Sequence, residues 1–148
     1  MTLKQTVIAM ILGGISMSVD ALENSVEVRV KGIDTSRPGQ ILVMLFQEEG
    51  FPKAHDKALL ILRYPSTETE RAVVLKNVPT LFAIKVLHDE DEDGKVTKNW
   101  TGILPKEGLG FSKGARITYK APSFASARLS VADLEESNTP HDITMRYP

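Results

Sequence analysis

The apolar residues of this chain come in short runs that carry a strand period and no helical one, which limits what it can fold into. In "VEVRVK", Val26, Val28 and Val30 alternate with Glu27, Arg29 and Lys31, the pattern of a half-buried strand. "ILVMLF" (41–46) is a continuous apolar run of strand length. "LLILRY" (59–64) and "RAVVLK" (71–76) follow it, and "LFAIKVLH" (81–88) leads into a run of carboxylates. "ARITYK", "ARLSVAD" and "HDITMRY", starting at Ala115, Ala127 and His141, read as three further strands, the last turning Ile143, Met145 and Tyr147 inward. Seven to eight short strands separated by Gly, Pro, Asn and Asp, without a sustained 3.6-residue period, predict an all-β sandwich. Only "FPKAHDKALL" (51–60) has a helical character, as a single turn with Pro52 at its start, where a missing N–H costs nothing.

A chain of 148 residues, 42% hydrophobic and 25% charged, suits one globular core, and it holds no repeat or linker that would divide it. Net charge is -1 and the basic residues are scattered singly, which argues against a nucleic-acid partner. The first residues carry Lys4, then an apolar run from Thr6 to Met17, then Val19 and Ala21 at the positions a signal peptidase reads. That run is about a dozen residues, short of the roughly 20 of a membrane span, and Gly13 and Gly14 weaken a helical alternative. The expected organisation is a signal peptide over 1–21 and a single β-sandwich domain over 22–148, periplasmic or secreted. With no cysteine, an exported domain holds itself by its core and by any bound ion.

Five consecutive carboxylates, Asp89 to Asp93, precede Gly94. Their mutual repulsion disfavours a tight turn unless water or a cation sits among them. Asp89, Asp91 and Asp93 repeat positions one, three and five of an EF-hand-type calcium loop, and Gly94 stands at the sharp bend. Lys95 offers its backbone carbonyl at the seventh position, and Thr97 a hydroxyl or a held water at the ninth. The twelfth is Trp100, which has no acceptor, so Glu107 on the neighbouring "PKEG" loop is the candidate for the missing carboxylate. The metal candidates are thus Asp89, Asp91, Asp93, Lys95, Thr97 and Glu107. The competing reading is a solvated acidic tip balanced by Lys95 and Lys98. Any calcium affinity should be weak, roughly 0.1 to 1 mM, because one strong ligand must come from another loop.

Nucleophilic catalysis has no positive support: there is no cysteine and no Ser-His-Asp arrangement. His88 continues the alternation of its strand and reads as a satisfied strand-end residue more readily than as a ligand; His55 and His141 lack metal-ligand spacing. Glu107 with Asp89 would form an acid/base pair only if the two loops meet. "NWT" at Asn99 is formally a glycosylation sequon. Trp100, Phe111 and Phe124 beside the glycine-rich loops either plug the end of the sandwich or line a binding surface, plugging being the commoner outcome.

The stretches "HDEDEDGK", "GILPKEGLGFS" and "APSFASARL", with "MLFQEEGFP" upstream, resemble the bacterial exported domain-of-unknown-function family 2141. Its pattern of a strand ending in His-Asp, an Asx-rich Gly-Lys turn, a Gly-Ile-Pro-Lys-Glu-Gly loop with Gly-Phe-Ser, and a Pro-Ser-Phe falls in order here. The matching positions are His88 and Asp89, Asp91 with Asp93 to Lys95, Gly102 to Ser112, and Pro122 to Phe124. Two departures are Leu104, inserted before Pro105, and Thr97, where members often carry an Asp. The resemblance implies a signal peptide and an immunoglobulin-like or transthyretin-like β-sandwich, and no established activity.

The expected role is an exported binding or accessory module of the bacterial cell envelope, without catalysis. Calcium is the one cofactor expected, and the expected partner is an envelope protein or small ligand. The alternatives are a hydrolase-like enzyme using carboxylates of the two loops, and a structural domain in an envelope assembly. Cleavage is predicted after Ala21: the intact mass of protein recovered from the envelope should lack Met1 to Ala21, and retention of that segment would refute export by this route.

Overall fold

The computed structural model describes residues 24–98, 102 and 104–148; the expected signal peptide, its cleavage site, Asn99 and Trp100 lie outside them. The continuous apolar run of strand β2 (Gln40–Phe46) reflects burial on both faces, since all six residues from Ile41 to Phe46 are buried. It pairs antiparallel with β5 (Leu81–Asp89) over seven positions, from Gln40 opposite Asp89 to Phe46 opposite Ala83. Strand β3 (Leu60–Pro65) flanks β2 on its other side, and β6 (Leu109–Phe111) and the short β7 (Leu129–Ser130) pair with β5. The second sheet has three strands. Its centre is β1 (Val26–Lys31), antiparallel to β4 (Glu70–Leu75) and parallel to β8 (His141–Thr144). Among the described residues, eight strands in two sheets therefore form the predicted all-β sandwich.

Alternation places Val26, Val28 and Val30 of β1 inside against Ile41, Val43 and Leu45 of β2 and Phe82, Ile84 and Val86 of β5. The opposite face of the five-stranded sheet carries a second apolar layer: Leu42, Met44, Phe46, Leu87, Leu109 and Phe111. Phe51, Ala58, Ile61, Val96, Ala115 and Ile117 cover it from the connecting segments. Phe51 is its aromatic keystone, edge-on to Phe46, Phe111 and Phe124 with ring centroids 5.7, 6.2 and 6.1 Å apart. Phe111 and Phe124 therefore plug this layer.

Three segments depart from the predicted elements. "ARITYK" forms no strand: Ile117 is half-buried on the second layer while Tyr119 is 86% exposed, and the segment pairs with no strand among the described residues. "GLGF", read as a turning loop, supplies β6. Gly110 is required there because a β-carbon would lie 2.9 Å from Ile143 Cγ2 and 3.1 Å from the Thr144 carbonyl oxygen. "ARLSVAD" divides into the end of helix α1 (Phe124–Ala127), β7 and helix α2 (Val131–Ser137), which closes at the left-handed Asn138. The helical turn read over 51–60 is a 3-10 turn at His55–Lys57. Among the described residues no helix is long and apolar enough to cross a membrane.

If the outer layer is a true core, Phe46→Ala should destabilise the protein by about 3–5 kcal/mol in urea unfolding. Val74→Ala, at a side chain 53% exposed, should stay within about 0.5 kcal/mol. Equal small effects would show an outer face open to water.

Candidate functional site

Period two carries β5 through Lys85, Leu87 and Asp89 on its outer face, so the strand ends by directing a carboxylate into the acidic turn. Asp89 is fully buried. Its Oδ2 accepts the Gly94 N–H at 2.9 Å and the side-chain amide of Gln40 at 3.2 Å, and its Oδ1 accepts the Asp93 N–H at 3.2 Å. The turn thus winds around Asp89. Gly39 makes room for this: its φ is +99°, and a β-carbon there would collide with the Asp89 carbonyl oxygen and the Glu90 backbone.

Glu107, also buried, arrives from the second loop. Its Oε1 accepts the Glu90 N–H at 3.0 Å and its Oε2 the Thr97 N–H at 2.8 Å, while Lys106 N–H donates to the Thr97 carbonyl at 2.8 Å. The two loops therefore meet, and one carboxylate oxygen each from Asp89, Asp91 and Glu107 lies within 4.8 Å of the others. Asp93 is outside that group; its Oδ1 accepts the Lys95 N–H at 2.8 Å. Thr97 donates its hydroxyl to Asp91 Oδ2 at 2.9 Å, and that bond holds the Asp91 carboxyl below the usual range. Burial pushes the Glu107 carboxyl above its usual range, opposed by its two backbone N–H donors and reinforced by the charges of Asp91 and Asp89. Glu90 is paired, with Arg37 at 2.8 Å, but among the described residues no cationic side chain forms an ion pair with Asp89, Asp91 or Glu107.

His88 is accounted for by its bonds. The Pro38 carbonyl, 3.0 Å from Nε2, can only accept, so Nε2 carries the proton and Nδ1 accepts the Tyr147 hydroxyl at 2.7 Å. Neither His55 nor His141 belongs to the group of converging oxygens, although His55 meets the Gly94 carbonyl of the same turn. His55 instead serves a residue that sequence reasoning missed, Lys85, which is 3% exposed on the outer face of β5. Lys85 Nζ donates to the Pro52 carbonyl at 2.8 Å and lies 2.7 Å from His55 Nε2, while His55 Nδ1 lies 2.8 Å from the Gly94 carbonyl. Gly94 can only accept through that oxygen, so Nδ1 is protonated and Nε2 accepts from the lysine. Burial and the Lys85 charge both lower the His55 pKa, and burial lowers that of Lys85 to about 8. The signal was present in "LFAIKVLH": one lysine inside an otherwise apolar strand.

The arrangement defines a two-sheet sandwich with a carboxylate cluster built where two loops meet at one end. The family model for "Uncharacterized protein conserved in bacteria (DUF2141)" matches residues 28–139, and the chain belongs to that family. Neither the curated proteins nor the solved structures contain a match.

Because Lys85 loses its proton near pH 8 when folded and near 10.5 when unfolded, the unfolded state holds the extra proton between those values, and folding stability rises with pH there. Below about pH 8 both states are charged and the full burial cost stands. The gap corresponds to about 3 kcal/mol. Stability of the wild type relative to Lys85→Met, followed by urea unfolding, should gain about that much between pH 8 and 10.5. A flat difference would mean that Lys85 is solvated.

Proposed function

We propose that this chain is an exported binding or accessory module of the bacterial cell envelope, periplasmic or secreted, that takes calcium in its acidic turn and performs no catalysis. The observation that carries the reading is the group of Asp89, Asp91 and Glu107 oxygens within 4.8 Å, two of the three side chains buried and none in an ion pair among the described residues. Carboxylates at that spacing repel one another, and a divalent cation turns the repulsion into attraction. Each carboxylate has about four lone-pair sites, so the backbone N–H bonds leave acceptor capacity for an ion. Three carboxylates contribute up to six oxygens, and the Lys95 carbonyl, Thr97 and Asp93 stand on the same turn to add to the 6–8 that calcium takes. The module's function is binding, with an envelope protein or a small ligand as its partner.

Calcium at ten times its Kd should stabilise the fold by about 1.4 kcal/mol, raising the thermal midpoint by roughly 3 to 6 °C. Asp91→Asn should abolish the rise; Asp91 is exposed, so its loss leaves the core intact. A shift of the same size from sodium at matched ionic strength would reduce the effect to screening and remove the metal site.

A further inference from the structure

We propose that the cavity over the outer face of the five-stranded sheet, which borders the acidic turn at Asp93 to Lys95, binds a small molecule with an apolar body and a single carboxylate, whose charge Lys85 receives. The cavity measures about 750 Å³, within the roughly 300–1,000 Å³ typical of small-molecule sites. Leu109 and Phe111 of β6 form apolar lining, Ile117 adds to it, and Lys85 and His55 supply the polar end. Register places Lys85 between Met44 and Phe111, so the ammonium sits at the end of an apolar wall.

Three features of Lys85 point to an anion. It has three donors, and the two acceptors it has in the protein, the Pro52 carbonyl and the bare Nε2 of neutral His55, are both uncharged. Among the described residues no carboxylate forms an ion pair with it. An ammonium buried without a counter-ion costs stability that an apolar residue of similar shape would not, so its presence in this strand calls for a compensating charge. The rim has the same sign: Lys53, Lys95, Lys98 and Lys120 line the cavity against Asp56 and Asp93. One buried cation in apolar surroundings matches a monoanion, whereas a phosphate dianion would bring more charge and more acceptors than the single free donor satisfies.

Titration of the purified protein with octanoate and with 1-octanol, followed by calorimetry, tests this. Octanoate should bind one to one and at least about tenfold more tightly than octanol. Lys85→Met should weaken octanoate by about tenfold or more and leave octanol unchanged. Ile117→Trp, which fills the cavity from a surface segment, should abolish binding of both, with an unchanged far-ultraviolet spectrum showing that the fold is kept. Equal affinity for octanoate and octanol, undiminished octanoate binding in Lys85→Met, undiminished binding in a folded Ile117→Trp, or no binding of octanoate by the wild type would each overturn the proposal. Lys85 would then be only a post holding Pro52 and His55.

Discussion

The antiparallel pairing of β2 with β5 is the constraint on which the rest of the molecule depends. Both strands are covered on both faces, so their side chains are committed to two different cores, and a slip of one residue would exchange them. The register that satisfies the cores also sets the chemistry. At one end it places Gln40 opposite Asp89, whose carboxylate the glutamine amide then meets; farther along it places Met44 opposite Lys85. Both charged groups lie on the outer face of β5, where loops instead of a second sheet cover them. That explains why an acid and a base are buried on a strand that otherwise reads as core.

Two clusters of opposite sign therefore flank one short turn. Asp89 organises its outer side by accepting from Asp93 and Gly94, and Glu107 fastens it to the second loop through Glu90 and Thr97. On the other side the Gly94 carbonyl receives His55, and His55 in turn receives Lys85. Gly94 thus uses its N–H toward the carboxylates and its C=O toward the imidazole. A change in the turn's conformation at Gly94 would bear on both sets of bonds, because the two peptide units that flank its α-carbon serve one set each.

The sandwich was legible because its strongest signals are local: the alternation in β1 and the runs of β2 and β5 arise directly from which faces are covered. The family's sandwich was suggested by motifs spread over most of the mature chain, and the family match over 28–139 covers them, whereas export was read from the first 21 residues, outside that match. The strand at Gly110 was illegible because its glycine answers to Ile143 and Thr144, far away in sequence, and composition alone marks it as a turn. "ARITYK" misled for the converse reason: its β-forming residues have no partner strand, and Ile117 is used as a cover. At the acidic turn, local spacing pointed to Asp89, Asp91 and Asp93, and the absence of an acceptor at Trp100 pointed to Glu107. The folded chain groups the first two with Glu107 and leaves Asp93 to cap the Lys95 N–H. Spacing reported which residues share the turn, but which oxygens converge depends on the backbone of a second loop.

That second loop also explains the buried charge. A lone acidic hairpin would keep Asp89 in water, where its repulsion from Asp91 is weak. The 105–108 segment covers it and brings in Glu107, so two backbone N–H bonds are gained together with one further negative charge. Burial raises the Glu107 pKa because these neutral donors offset the desolvation and the neighbouring carboxylates only in part. The segment stays closed through bonds independent of the carboxylates: Lys106 N–H to Thr97, His88 N–H to the Gly108 carbonyl, and Leu109 paired with Arg146. The strand ladders and cores therefore hold the three carboxylates together against their mutual repulsion.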